Sequence, residues 1–275
     1  MKVLELFDLS GQVAVITGGG GLLGYRHAEA VLEAGGVAIL LDIHEESLKQ
    51  TTTSLEKVAP GKVHAFVCDI TQPKQVEEVR DLIMERVGRT DILINNAANN
   101  PKVESTAPSN FSRLENFPLQ VWEQDMAVGL TGALICTRVF AAVMSRLGGG
   151  VILNIASDLA LISPDQRLYR QTGLAEEEQP VKPVSYSVVK TGLLGLTRYC
   201  ATYYAQSNIR CNAIAPGGVY LNQYEEFVSR LVNLIPMGRM ANQDEYKGAV
   251  LFLISKASSY ITGVCLPIDG GRSVW

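Results

Sequence analysis

Short apolar runs alternate along the chain with longer segments in which apolar side chains recur every three or four positions. VAVIT (13–17), VAILLD (37–42), KVHAFVCD (62–69), DILINNA (91–97), GGGVILNIAS (148–157), IRCNAIAP (209–216) and VCLPID (264–269) read as buried strands. Residues 22–34, 44–58, 73–88, 119–147, 184–206 and 242–255 read as helices; in 73–88 the apolar side chains fall at 76, 79, 82, 83 and 87 and share one face. Regular alternation of this kind predicts an α/β fold with a mostly parallel sheet, doubly wound, and helices on both faces. Two polar segments break the pattern, at 99–118 and 163–183.

The 275 residues are 47% hydrophobic, which suits one large core and a single domain over 1–275. A formal net charge of −4, with interspersed charges, offers no footprint for nucleic acid or an anionic membrane. No apolar stretch runs about 18 residues free of charges or glycine clusters, so no membrane span is expected. Glu5 and Asp8 interrupt the N-terminal region in a way a secretory signal does not, so a cytoplasmic protein is expected. Cys68, Cys136, Cys200, Cys211 and Cys265 form no C-x-x-C pair and read as reduced thiols; with His27, His44 and His64 scattered, no metal site is expected.

The chemistry gathers at strand ends. Thr17-Gly18-Gly19-Gly20-Gly21-Leu22-Leu23-Gly24 joins the first strand to the first helix. Glycines there let the chain turn tightly and let amide N–H groups approach a pyrophosphate, to which the helix adds its positive end. Asp42 closes the next strand, 42 − 18 = 24 residues beyond the first glycine, near the roughly 20 expected of an acid that binds a ribose. Such a carboxylate favours NAD and repels the extra phosphate of NADP. This is the pattern of a Rossmann-type dinucleotide site. Tyr186 and Lys190 are spaced i and i+4, on one face of a helix. A phenol ionises near pH ~10, and a neighbouring ammonium is expected to lower that value.

From about residue 7 to the end, the chain resembles the short-chain dehydrogenase/reductase family in its single-domain form. The resemblance is carried by TGGGGLLG (17–24), DI (69–70), NNAA (95–98), NIAS (154–157), YSVVK (186–190), APGGV (215–219) and PIDGG (267–271). It implies that Ser157 holds the substrate oxygen, Tyr186 exchanges its proton, and Lys190 holds the nicotinamide ribose and depresses the phenol pKa. It also implies cofactor contacts from Gly18, Gly21, Leu22, Leu23, Asp42, Ile43, Asp69, Ile70, Asn96, Ala97, Ala98, Pro216, Gly217 and Val219. Relatives commonly assemble as dimers or tetramers, and helix 119–147 and the tail PIDGGRSVW fit buried roles in a homo-oligomer.

Three departures stand out. Leu22 occupies a position where the short form usually has glycine, and read as T-G-x-x-G-x-x-G the turn resembles the nucleotide-sugar-modifying branch. Gly129 stands where the family usually has an asparagine whose backbone carbonyl supports a water beside the lysine. Ser157 and Tyr186 lie 29 positions apart (186 − 157), longer than is common in the family. Long segments beside the carboxyl ends of strands border the substrate, and Arg167 and Arg170 in DQRLYR are candidates to bind a carboxylate or phosphate. Leu221 to Met240 is expected to cover the site, hinged at Pro216-Gly217-Gly218. The expected function is NAD-dependent interconversion of a secondary alcohol and a ketone in a small carbohydrate-type or acidic substrate, such as a sugar of a surface-glycan or flagellin-modification pathway. The alternatives are a cofactor-binding regulatory protein with little turnover, and an epimerase or dehydratase that uses NAD transiently.

Overall fold

The computed structural model describes residues 2–99 and 110–275; positions 100–109 of the 99–118 segment lie outside the described residues. The apolar runs become β1 (Val13–Thr17), β2 (Val37–Asp42), β3 (Val63–Val67), β4 (Ile92–Asn95), β5 (Gly150–Ile155), β6 (Ile209–Pro216) and β7 (Cys265–Ile268). They hydrogen-bond in the order β3-β2-β1-β4-β5-β6-β7. Every pairing is parallel, so the expectation of a mostly parallel sheet sharpens to a wholly parallel one.

Parallel strands buried on both faces send alternate side chains to two cores. Val13 and Val15 of β1 face Val76, Val79 and Ile83 of α3 (Pro73–Val87) and Val139 and Phe140 of α5 (Gly132–Arg146). Ala14 and Ile16 face Val31 and Leu32 of α1 (Leu22–Glu33), Leu48 and Leu55 of α2 (Glu45–Leu55), and Val250 and Leu253 of α8 (Lys247–Ile254). Helix α6 (Val184–Tyr203) closes the first core with Cys200 and Ala201.

The segment expected as one helix over 119–147 is α4 (Leu119–Met126) and α5, joined by a five-residue π-turn, Ala127–Thr131. Gly129 lies inside this turn against α6; a Cβ there would sit 2.4 Å from Val189 Cγ1. The absent side chain is what lets the two helices meet so closely. By length and apolarity the run Leu119–Arg146 could cross a membrane, but more than half of its apolar window is buried, as in a core helix of a folded domain. Helix 242–255 begins later than its pattern suggested, at Lys247. Helix α7 (Glu225–Val232) was not foreseen as a helix; it lies within 221–240, and its Leu231 packs with Leu168, Ile235 and Met240.

Candidate active site

The chain leaves β1 toward β2 and β3 on one side, and resumes with β4 on the other. A crevice opens where the strand order reverses, at the carboxyl ends of β1 and β4. The glycine turn lines it. Gly18 has φ of +64°, and a Cβ there would lie 2.9 Å from Ala97 Cα. Gly24 lets α1 rest directly on the turn, since a Cβ would fall 2.1 Å from the Gly18 carbonyl oxygen. Asn96 fixes the same turn from β4: its side-chain amide donates to the carbonyls of Thr17 (3.0 Å) and Gly18 (3.2 Å). In return the Thr17 hydroxyl accepts from the backbone N–H groups of Asn96 and Ala97, both at 3.0 Å.

Gly21, which caps α1, contributes no side-chain hydrogen bond. The first N–H groups of the helix are therefore open to an anion. Asp42 stands at the end of β2, its carboxylate accepting from the backbone N–H groups of Gly20 (3.0 Å) and His44 (3.1 Å). A cavity of about 570 Å³ runs past Gly18, Gly21, Asp42, Ile43, Asp69, Ile70, Asn96, Ala97 and Ala98. These groups fit a dinucleotide: a glycine cradle at a helix end, then a carboxylate at the far side.

Leu22, Leu23, Asn96 and Ala98 also line a second cavity of about 450 Å³, which holds Ser157, Tyr186, Lys190, Pro216, Gly217 and Val219. Ser157 follows β5. Its hydroxyl donates to Asp158 Oδ1 (2.8 Å) and accepts from the Leu159 N–H (3.2 Å). Tyr186 and Lys190 lie one turn apart on α6, and the Lys190 ammonium donates to the Ile155 carbonyl at 2.7 Å. Burial pushes the Tyr186 phenol up, with the hydrogen bond to Ser157 pulling it back and the Asp158 charge adding to the rise. Lys190 is itself pushed down to about 8, by burial and then by the Lys182 charge. The expected easing of the phenol by Lys190 is thus not what dominates in the protein alone. The ammonium sits 5.8 Å from the ring centroid, and desolvation outweighs it.

A pocket of about 10 Å³, touched by Asp125, Gly129, Tyr186, Val189 and Lys190, adjoins the pair. That is near the lower limit for one water, at the place where the resemblance puts the relay water. Asp125 is nearly buried and takes a hydrogen bond from the Ser185 hydroxyl.

A sequence profile described as enoyl-(acyl carrier protein) reductase matches residues 21–273. The chain belongs to the short-chain dehydrogenase/reductase family. It is 31% identical to a short-chain dehydrogenase/reductase of Mycobacterium marinum, whose crystal structure superposes with a TM-score of 0.84 and 99% of each chain covered. A gluconate 5-dehydrogenase of Burkholderia cenocepacia, solved with NADP and tartrate, is 28% identical with a TM-score of 0.84 over 100% of both chains. D-threitol dehydrogenase of Mycolicibacterium smegmatis is 29% identical, over 98% of this chain and 96% of that one. Membership makes the protein an oxidoreductase of alcohol or ketone groups that uses a nicotinamide cofactor.

The long segment between Ser157 and Tyr186 is folded back on itself, but not around the residues its sequence pointed to. Arg167 is paired with Asp165 (2.7 Å) and Arg170 with Glu176 (2.6 Å), both arginines are largely exposed, and neither lines the cavity. Each guanidinium, expected to meet substrate, here finds a carboxylate on its own segment and stands outside the cavity lining. The segment is sewn together by Gln179, whose amide bonds both the N–H and the carbonyl of Gln171 and the carbonyl of Leu174. Leu168 packs under α7, and 163–183 and α7 together wall the cavity through Leu168, Tyr169, Phe227 and Leu231.

Three charged groups in the cavity escaped the sequence reading. Lys182 enters from the end of the long segment, its ammonium 3.8 Å from the Tyr186 ring centroid. Asp158 and Arg272 form a buried ion pair at 2.6 Å, tying the residue after Ser157 to the last turn of the described chain. A lysine just before a proline-started helix could have been noticed. The Asp158–Arg272 pair, 114 positions apart, carries no local signal.

Proposed function

We propose that the protein is an NAD-dependent oxidoreductase that interconverts a secondary alcohol and a ketone in a small carbohydrate-type substrate. One observation carries this reading: Ser157, Tyr186 and Lys190 line one cavity that continues into the dinucleotide crevice. The nicotinamide supplies or accepts the hydride when bound. Ser157 holds the substrate oxygen, and Tyr186 gives that oxygen a proton in reduction or takes one in oxidation. Lys190, anchored on Ile155, reaches the ribose and offsets the charge of a phenolate. Leu22, Leu23 and the wall formed by α7 exclude water from the transfer.

The preference for NAD rests on Asp42. Its carboxylate faces the cavity already held by two backbone N–H groups, so it accepts from ribose hydroxyls and repels a phosphate in their place. A gluconate 5-dehydrogenase solved with NADP and a xylitol dehydrogenase solved with NAD+ share this fold, so this chain's own acid is the group that discriminates between the two. A cavity of about 450 Å³ suits a monosaccharide-sized ligand beside the nicotinamide. The names of the threitol and gluconate relatives point the same way. A self-associated state is part of the proposal, because Tyr199 and Tyr203 stack at 5.6 Å on an exposed face of α6.

The test is turnover of a panel of polyols, aldonates and ketoses with NAD(H) and NADP(H). Tyr186→Phe is expected to lose about 10² in kcat or more, the scale of general acid–base catalysis, while NADH still binds. Full turnover by that variant refutes the role of the phenol. Tighter binding of NADPH than NADH refutes the role of Asp42.

A further inference from the structure

Ser157, Asp158 and Arg272 are all buried, and all line the substrate cavity. Among the described residues Asp158 is the only carboxylate there. The short turn that Ser157 caps brings the two neighbouring side chains together. The Ser157 hydroxyl donates to Asp158 Oδ1 (2.8 Å), and the Leu159 N–H is shared between Ser157 Oγ (3.2 Å) and Asp158 Oδ1 (2.8 Å). The other carboxylate oxygen, Oδ2, accepts from Arg272 Nη1 at 2.6 Å.

Arg272 is itself held. It stands in a turn where the Asp269 carboxylate accepts from the backbone N–H groups of Gly271 (3.0 Å) and Ser273 (2.9 Å). Trp275 ties the same turn to the segment after α7, its indole N–H donating to the Leu234 carbonyl at 3.2 Å. A guanidinium fixed on one carboxylate oxygen leaves the other aimed at the serine.

A serine hydroxyl has one proton to donate, and an ionised carboxylate only accepts. Ser157 also shares a hydrogen bond with the Tyr186 phenol. A neutral phenol can donate to the serine oxygen while Asp158 keeps the serine O–H. A phenolate has no proton and needs the serine's. Asp158 Oδ1 and the Tyr186 oxygen therefore compete for one hydrogen. The carboxylate's charge acts in the same sense, adding to the rise of the phenol.

We infer that Asp158, anchored by Arg272, is a positioning residue that draws the Ser157 O–H away from Tyr186, so that the hydroxyl must turn from the carboxylate before it can donate to a phenolate or a ketone. This rests on the oxidoreductase reading above, in which Ser157 and Tyr186 touch the substrate oxygen. It also gives the turn at Arg272 a part in the chemistry.

Asp158 is faced by Arg272 from the C-terminal turn, by Tyr169 and Lys182 from the long segment, by Tyr186 from α6, and by Tyr246 at the start of α8. Lys182 and Lys190 stand 3.8 Å and 5.8 Å from the Tyr186 ring centroid. Removing the Asp158 charge and freeing the serine O–H both favour the phenolate. Oxidation of an alcohol needs that phenolate as base, so its pH profile then moves to lower pH. Removing Arg272 leaves the carboxylate unopposed and moves the profile to higher pH.

The experiment follows Tyr186 ionisation in the NAD-loaded protein by phenolate absorbance, each protein being compared with its Tyr186→Phe counterpart. The pH profile of kcat/KM for the best alcohol of the panel above is measured alongside. The proteins are wild type, Asp158→Asn, Arg272→Met and the double variant, each with Ser157 and with Ser157→Ala. With Ser157 present, Asp158→Asn is expected to move the midpoint down by about one pH unit or more, and Arg272→Met to move it up. With Ser157→Ala, the downward movement is expected to shrink by about half or more, because part of it passes through the serine. A role confined to packing would weaken folding and leave the midpoints in place.

Coincident midpoints in wild type and Asp158→Asn overturn the inference. So does an equal movement with Ser157→Ala, which would assign the effect to the Asp158 charge without the serine. Breaking a buried pair by removing one partner is costly, and removing both is much less so. Should a single variant fail to fold, the double variant decides, since its two charges leave together and the freed serine O–H remains. A midpoint below that of wild type and dependent on Ser157 upholds the inference, and any other overturns it. If no alcohol turns over, the absorbance titration decides: a serine-dependent movement upholds the role of Asp158 and counts against the oxidoreductase reading alone, and an unmoved midpoint overturns that role.

Discussion

Replacing Gly129 by alanine places a methyl group 2.4 Å from Val189 Cγ1, well inside ordinary contact. Valine on a helix has one strongly preferred rotamer, and Val189 is 4% exposed on α6, so its methyl has little room to turn aside. Overpacking of this kind costs about 1–3 kcal/mol. The better helix propensity of alanine returns about 0.5–1 kcal/mol, and the net expectation is a loss of about 1–2 kcal/mol. Val189→Ala alone leaves a cavity beside Gly129 and costs about 1–3 kcal/mol. In the double variant the new methyl fills the space that the old one vacated. The two changes are therefore expected to be coupled favourably by about 1 kcal/mol or more, within the range seen for residues in contact. Urea unfolding of the four proteins at one protein concentration measures this, and the propensity contribution cancels in the cycle. Additivity within about 0.5 kcal/mol would refute the claim that Gly129 is glycine because Val189 needs the space. An active-site corollary is that Gly129→Asn, the residue usual in the family, is tolerated only together with Val189→Ala.

Other outcomes follow from the same geometry. Gly24→Ala drives a Cβ to 2.1 Å from backbone that cannot yield, so it should cost about 3 kcal/mol and abolish NADH binding by fluorescence titration. Gly21→Ala meets only the Gly18 carbonyl at 3.4 Å and should fold within about 0.5 kcal/mol of wild type. His27 is fully buried, and burial holds it at about 4 against a smaller upward pull from Asn96. The unfolded chain protonates near pH ~6.5 while the folded one stays neutral. Stability is then full above that pH and falls as pH drops toward 4, by at most about 3 kcal/mol. Unfolding free energies between pH 4 and 7 should show a shallower acid slope for His27→Leu. Ser185→Ala removes the partner of buried Asp125 and should cost about 1–3 kcal/mol, whereas Ser185→Ala with Asp125→Val should lose much less; thermal melts distinguish the two.

Much of the fold was legible because its signals are local. Val13–Thr17, Val37–Asp42 and Ile209–Pro216 appear as strands with the bounds their apolar runs define, since a centrally buried parallel strand has apolar side chains on both faces. The glycine turn, Asp42 and the Tyr186–Lys190 pair were legible because each is a short motif at a strand end or on one helix turn. What escaped depends on contacts between distant segments. The π-turn at Ala127–Thr131 sits where α6 lies against Gly129, a contact that no period in residues 119–147 encodes. Arg167 and Arg170 stand outside the cavity lining, each beside a neighbouring acid that pairs with it, while Lys182 reaches the cavity along the path that Gln179 and Gln166 impose on the chain. The phenol's upward displacement has the same origin, because depth of burial is a property of the assembled walls.

The ion pair between Asp158 and Arg272 bears on the order in which the molecule becomes competent during synthesis. The cavity beside the glycine turn draws its lining from residues up to Asn99, from α4 and from the turn after it, whereas the chamber around Tyr186 is finished by residues as late as Arg272. The neighbour of the reactive serine, by contrast, waits for a guanidinium that emerges 114 positions later. Until that guanidinium docks, the Asp158 carboxylate beside Ser157 stands without the cation that balances it in the folded protein.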